Sequence, residues 1–255
     1  MRLDNGEQPI RGAGGGAPRK ERGGRAGISN MDKRTFYRRA DVVETYDRQR
    51  FGGASGERVS RREIELALDM LPSIGTVLDL ACGRGRTAQA IIARGQPAFG
   101  LDYSPGMVER AAEGGVPAAV GDAFSTPFAD GAFDAVVSLR FAFHYSELTP
   151  LLEEMRRVVR PGGGVVFDTY SWSPRSAIPL GARAWGGRVQ LHPRAEVARA
   201  AARAGLRITR IEPCFLFSPY LYRLAPLPIE RAFERLETHV PSSWLCRVFW
   251  GGVSA

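Results

Sequence analysis

Apolar and polar positions change their period along this chain, and the changes mark its elements. Residues 1–30 show no period and contain no aromatic residue. Gly12-Ala13-Gly14-Gly15-Gly16-Ala17-Pro18 and Gly23-Gly24-Arg25 punctuate them. Such a stretch buries too little apolar surface to offset its ordering entropy, so it is expected to be disordered. Met31 then opens ordinary sequence, which suggests that 1–30 is an extension upstream of the natural start. Across 31–74 the apolar positions take helical spacing. Tyr37, Val42, Val43 and Tyr46 mark a first helical stretch, and Gly52-Gly53-Ala54-Ser55-Gly56 a break. Ile64, Leu66, Ala67, Met70 and Leu71 form one face of a second helix over 58–71, which Pro72 stops.

From residue 75 the pattern alternates between short apolar runs and helical periods. Strands are expected at 76–80, 98–102, 118–120, 135–138 and 164–168. Helices fall between them at 87–94, from Ser104-Pro105 onward (an N-cap with proline at the first helical position), and at 151–159. Arg160-Pro161-Gly162-Gly163 is expected to end the last of these. A helix at 194–204, a strand at 206–211, a helix at 229–236 and a strand-like end at 246–250 follow. Strand-helix alternation of this kind predicts an α/β fold, a doubly wound parallel sheet covered on both faces. The aromatic, proline-bearing stretch before 229 makes 215–243 an expected insertion between the last two strands. An acceptor lid, a dimer surface, peripheral lipid contact and plain packing are its candidate roles.

Composition narrows the class. The chain has 255 residues, 44% hydrophobic and 24% charged, which suits one α/β domain. No apolar run reaches the ~20 residues of a membrane span, and no apolar leader opens the chain. Cys82, Cys214 and Cys246 are odd in number and follow no zinc or disulfide spacing, so the expected compartment is the cytoplasm and no metal is expected. The net charge of +8 is carried mostly by arginine without a basic block. A solvated surface is its plain reading, ahead of nucleic acid or anionic membrane.

The chemistry concentrates at strand ends, where ligands sit in such sheets. Val77-Leu78-Asp79-Leu80-Ala81-Cys82-Gly83-Arg84-Gly85 runs from a strand carrying one carboxylate into a glycine turn. Gly83 and Gly85 let a ligand approach bare backbone at a helix N-terminus. A dinucleotide loop is the rival, since Gly83-x-Gly85-x-x-Ala88 fits its loose fingerprint and would make the chain a dehydrogenase. Asp79 argues against a pyrophosphate there and for a cationic ligand. Asp102 closes the second strand and suits a ribose diol; a simple acid at a helix start is the alternative. Asp122, in Gly121-Asp122-Ala123-Phe124, suits an adenine amino group, with the Ala123 N–H donating to the ring and Phe124 and Tyr103 stacking on it. A turn aspartate is the alternative.

In order along the chain, Asp79 to Gly85, Leu101-Asp102-Tyr103-Ser104, Gly121-Asp122-Ala123, Phe133-Asp134-Ala135-Val136-Val137-Ser138 and Arg160-Pro161-Gly162-Gly163 resemble the class I S-adenosylmethionine-dependent methyltransferases. The likeness is to the small-molecule subgroup that includes the ubiquinone and menaquinone biosynthesis enzymes. It covers 75–170 well, the N-terminal helices moderately, and little beyond Ser171. The resemblance implies a Rossmann-like seven-stranded sheet in the order 3-2-1-4-5-7-6 with the last strand antiparallel. It implies helices over 31–74 covering the cofactor and a methyltransferase domain over 75–255. Asp79, Ala81, Gly83 and Gly85 would then hold the methionine moiety, Asp102 the ribose, and Asp122 with Ala123 the adenine, between the rings of Tyr103 and Phe124. Ser138 and Leu139 would offer a carbonyl to the methionine amino group, and Tyr46 would close over the cofactor.

Methyl transfer from a sulfonium needs a base only when the nucleophile carries a proton. His144, after the fourth strand, is the candidate; a packed histidine is the alternative. Arg140, Asp168, Tyr170 and Trp172 are candidate acceptor-pocket residues. Ser138-Leu139-Arg140-Phe141 lacks the Asn/Asp-Pro-Pro-Tyr-like motif of base-amine methylation, and Cys82 lies in the wrong loop for a nucleophilic route, so it is expected to pack under the glycine turn. A small-molecule acceptor, methylated on O, N or C, is therefore the leading expectation. A cofactor-binding scaffold without transfer activity is the second, and a nucleic-acid methyltransferase the third.

Overall fold

The computed structural model describes residues 35–173, 176 and 189–255. The expected disorder of residues 1–30 lies outside them. Seven strands form one sheet: β1 (Val77–Leu80), β2 (Ala98–Asp102), β3 (Ala118–Val120), β4 (Phe133–Ser138), β5 (Val159–Tyr170), β6 (Leu206–Cys214) and β7 (Arg247–Ser254). Their order is β3-β2-β1-β4-β5-β7-β6. The pairs from β3 across to β5 are parallel, and β7 runs antiparallel to both β5 and β6. This is the order and the antiparallel seventh strand that the resemblance implied.

The helices are α1 (Ala40–Phe51), α2 (Gly53–Leu68), α3 (Arg86–Ala93), α4 (Pro105–Glu113), α5 (Thr149–Val158), α6 (Arg194–Arg203), α7 (Pro219–Leu224) and α8 (Leu227–Glu237). They cover both faces because the strands are apolar on both. On one face Leu151, Leu152, Met155, Val197 and Ala201 of α5 and α6 pack over Leu78, Val136 and Trp250. On the other, Val59 and Ala67 of α2, Ala88 and Ile91 of α3 and Tyr222 of α7 pack over Val77, Val137 and Phe249. Leu78, Leu80 and Leu101 are fully buried, each worth about 1.5–3 kcal/mol of apolar transfer.

Two local expectations change. The glycine run was expected to break the chain over five residues, yet α2 begins at Gly53 and the break contracts to Gly52. Gly56 sits inside the first turn of α2, where a Cβ would lie 2.6 Å from the Phe51 carbonyl, so glycine is what lets α1 and α2 meet so tightly. The run from Arg160 to Gly163 was expected to end a helix and the strand to start at Gly164, but the helix already ends at Val158 and β5 starts at Val159. Phe133 pairs with Val159 and Ala135 with Gly164, so the four residues between bulge out of the ladder. Asp134 holds that bulge. Its carboxylate accepts Arg160 Nε at 2.5 Å and the Thr76 N–H at 2.7 Å, and these bonds keep its carboxyl below the usual range.

Candidate active site

The strand order reverses between β1 and β4, and the loops leaving β1, β2, β3 and β4 all open there. The loop after β1 needs left-handed backbone at alternate residues: Ala81, Gly83 and Gly85 have φ of 61°, 55° and 75°. Ala81 carries a Cβ in a region that disfavours one. Ala81 and Gly83 line the pocket, and a Cβ on Gly83 would point into open space. Gly85 does not line it. A Cβ there would come within 3.0 Å of Val116 Cγ2 and 3.1 Å of Ala111 Cβ, so this glycine serves the packing of α3 against its neighbour.

Asp79 lies beneath the loop and is 2% exposed. Its Oδ2 accepts the Ala88 N–H at 3.0 Å, joining β1 to the first turn of α3. Burial pushes its carboxyl up to about 7, and the charge of Asp102 adds to that while the Ala88 bond opposes it. The carboxylate lies behind the glycine turn, as expected, and does not itself line the pocket. Cys82 packs under the turn as expected, against the missing side chain of Gly100. Burial, with Asp79 and Asp102 nearby, pushes its thiol well up, which keeps it an unreactive thiol.

Asp102 is held from two sides. Its Oδ1 accepts the Ser104 N–H at 2.9 Å and its Oδ2 the Gly83 N–H at 2.8 Å. Burial raises its carboxyl, against the Ser104 and Gly83 bonds. Each oxygen keeps a further lone pair for a diol. Ser104 was expected to cap α4 through its hydroxyl, but it makes no side-chain cap bond. Ser104 lines the pocket, and its Oγ is buried without a partner. Tyr103 lines the same wall, with the Arg38 guanidinium 5.3 Å from its ring centre. After β3, Gly121, Asp122 and Ala123 line the pocket, and Asp122 Oδ1 accepts the Phe124 N–H at 3.1 Å. Phe124 does not line it; its ring packs on Tyr145 at 4.7 Å and Phe141 at 5.8 Å, and those two rings do.

The turn after β4 departs most from expectation. Ser138 is fully buried with no partner for its Oγ, while Leu139 and Arg140 reach the pocket. Arg140, at φ 61°, donates its N–H to Asp168 Oδ1 at 2.6 Å. Its guanidinium is engaged by Glu63 of α2, Nε to Oε2 at 2.9 Å. Glu63 also bonds Arg247 of β7, and Arg247 Nη2 reaches Asp168 Oδ2 at 2.5 Å. Two cations and two anions therefore close a buried network joining α2, β5, β7 and the turn after β4. Asp168 belongs to this network and not to the pocket wall. Tyr170 is buried beside Arg247, 5.5 Å from guanidinium to ring centre. Trp172 donates its Nε1–H to the Trp244 carbonyl at 2.6 Å. Neither Tyr170 nor Trp172 lines the pocket.

Aromatic residues make the far wall. Tyr37, Tyr46 and Phe51 come from the N-terminal helices, and His144 from the 3-10 turn Ala142–His144. Phe51 lies between two guanidinium groups, Arg86 at 4.1 Å and Arg140 at 4.7 Å from its ring centre. His144 is 8% exposed and stands 5.9 Å from the Tyr37 ring. Sequence reasoning missed Glu63, Arg247, Phe51 and Tyr37. The first two had a signal: Glu63 is a lone acid on an apolar helix face, and Arg247 a lone cation in an aromatic strand.

Residues 78–167 match the family described as "Methyltransferase domain". A demethylmenaquinone methyltransferase of Mycolicibacterium vanbaalenii is 38% identical over 115 residues, 45% of this chain and 50% of that protein. A 2-methyl-6-phytyl-1,4-hydroquinone methyltransferase of Synechocystis is 37% identical over 120 residues, 44% of this chain and 37% of that protein. The chain thus spans half or less of the length of these two relatives. Among solved structures, a geranyl diphosphate C-methyltransferase from Streptomyces coelicolor superposes with a TM-score of 0.66 at 20% identity, over 91% of this chain and 100% of that one. A geranyl diphosphate methyltransferase in complex with SAM gives 0.60 at 25% identity, over 78% and 87%. Residues 78–167 of this chain thus match the methyltransferase-domain family, and the seven described strands have the order of the class I methyltransferase fold.

Proposed function

We propose that the chain binds S-adenosylmethionine in this pocket and transfers its methyl group to a small-molecule acceptor. The observation that carries the proposal is the convergence of Gly83, Asp102, Asp122–Ala123 and Leu139, from four strand ends, on one pocket. The residues fit the cofactor. Gly83 leaves a cradle that a Cβ would fill, Asp102 keeps acceptor capacity toward a diol, and the buried Ser104 Oγ lacks a partner. When bound, the cofactor supplies an already activated methyl group. The protein's part is then alignment and exclusion of water, and orientation of this kind is worth on the order of 7–11 kcal/mol. Tyr37, Tyr46 and Phe51 form the dry side of the pocket, and their rings suit an apolar acceptor. His144, in the same wall, is placed to take a proton from an acceptor that carries one. Arg140 is reassigned: its charge is engaged by Glu63, so it shapes the pocket floor. The three cysteines are free thiols, and we place the reaction in the cytoplasm on that basis. No helix among the described residues is long and apolar enough to cross a membrane.

Isothermal titration with S-adenosylhomocysteine tests the reading. Binding by the parent and its loss in Asp102→Ala is expected. A folded parent that binds nothing refutes it.

A further inference from the structure

The connection between β6 and β7 carries a face that the pocket does not use. Leu224 is 74% exposed, and Leu221, Leu227, Ile229 and Leu236 are between 39% and 49% exposed. Leu221 and Leu224 lie one turn apart on α7, and Leu227 and Ile229 open α8. Five large apolar side chains on one helical hairpin exceed the scattered surface leucine of a soluble domain.

The charges of α8 are sorted. Each of its acids turns toward α2: Glu230 accepts Arg58 Nε at 2.7 Å, Glu237 accepts Arg62 Nη1 at 3.2 Å, and Glu234 lies 3.8 Å from Arg62. Glu237 also takes the Tyr222 hydroxyl, which pins α7 to the same anchor. Arg231 and Arg235 are exposed instead, with no ion pair among the described residues. The inner face is therefore neutralised and fixed, and the outer face is apolar with uncompensated cations. That is the composition of a helix lying in a membrane interface.

We propose that the outward face of α7 and α8 docks on an anionic lipid surface. Charge complementarity selects this occupant. A second copy docked by the same face would bring four uncompensated arginines, Arg231 and Arg235 from each chain, into one interface. The chain's first 34 residues carry eight Lys or Arg against four Asp or Glu and are repelled by the same cations. An anionic headgroup layer pairs with the arginines while the leucines enter the acyl boundary. Because α2 both anchors this hairpin and supplies Ser60, Glu63 and Ile64 to the pocket wall, docking brings the pocket's covering helix to the lipid. The proposal stands whether or not the pocket binds a cofactor.

Vesicle co-sedimentation of the full chain tests it. Binding is expected with equimolar phosphatidylglycerol and phosphatidylcholine, and not with phosphatidylcholine alone. Arg231→Glu/Arg235→Glu should weaken it at least about tenfold, and Leu224→Glu/Leu227→Glu likewise, with circular dichroism melts confirming that both variants fold. The control is Arg199→Glu/Arg207→Glu, an equal charge change on exposed positions of α6 and β6, away from the hairpin. No binding to the mixed vesicles overturns the proposal. Equal loss in the control overturns it in favour of bulk charge. Self-association that Leu224→Glu abolishes overturns it in favour of a second copy.

Discussion

The Gly83 N–H donates to Asp102 Oδ2 at 2.8 Å, so the glycine loop after β1 is held by the acid that ends β2. One carboxylate thus positions the loop and faces the pocket. Asp102→Asn should therefore cost more than a lost ligand contact. The amide keeps one acceptor oxygen, so either the Gly83 or the Ser104 bond weakens. S-adenosylhomocysteine affinity should fall by at least about tenfold, the cost of roughly one charge-assisted hydrogen bond, as titration calorimetry would show.

Ala81 sits at φ 61°, where a Cβ costs about 1–2 kcal/mol. Ala81→Gly relieves that strain and returns about 0.5–1 kcal/mol through the freer unfolded chain. A net gain of about 0.5–1 kcal/mol is expected in urea unfolding. A loss would show that the Ala81 methyl makes a packing contribution larger than its strain.

Asp79 makes stability fall as pH rises. Its folded carboxyl titrates at about 7, above the unfolded value of 3.8. The folded state therefore holds the proton more tightly, and this contribution is complete below about pH 4 and lost as pH climbs through 7. Asp79→Asn keeps an acceptor for the Ala88 N–H and carries no charge. Its urea midpoint, compared with the parent's at pH 5 and pH 8, should rise relative to the parent at the higher pH. A difference independent of pH would contradict the buried, protonated carboxyl.

Arg247 is fully buried between Glu63 and Asp168. Arg247→Met strips Asp168 of its cation and leaves Glu63 with Arg140 alone, and should cost roughly 3–5 kcal/mol. Adding Glu63→Gln should recover part of that loss, a non-additivity that a double-mutant cycle in denaturant measures.

His144→Gln distinguishes a proton carrier from a packed ring. Cofactor affinity should stay within about twofold while turnover of a protic acceptor drops about a hundredfold or more. Equal turnover would return His144 to a packing role beside Tyr37.

The strand-helix alternation and the strand ends at the pocket were legible because they depend on local signals: an apolar run, a terminal acid, a glycine that tolerates positive φ; the sheet order came from the family resemblance alone. Asp102 and Gly83 follow such signals, and both stand at the pocket. The signals failed where partners are distant in sequence. Phe124 fits an adenine-stacking position by neighbourhood, yet Tyr145 and Phe141 capture its ring. Arg140 reads as a free cation until Glu63, 77 residues earlier, is brought beside it. Asp168 and Tyr170 end a strand that should feed the pocket, but β7 places Arg247 against them. Long-range charge pairing leaves no periodic trace.

The buried network also sets how firmly each N-terminal helix is held. Swinging α2 away would strip Glu63 from two guanidinium groups and leave them in a dry cavity. Among the described residues α1 meets the site through its aromatic rings, Phe51 beneath the two guanidinium groups and Tyr46 against Phe51, and its junction to α2 is a pair of glycines. Lifting α2 from the sheet would therefore cost a buried charge network, and lifting α1 would cost ring and apolar contacts.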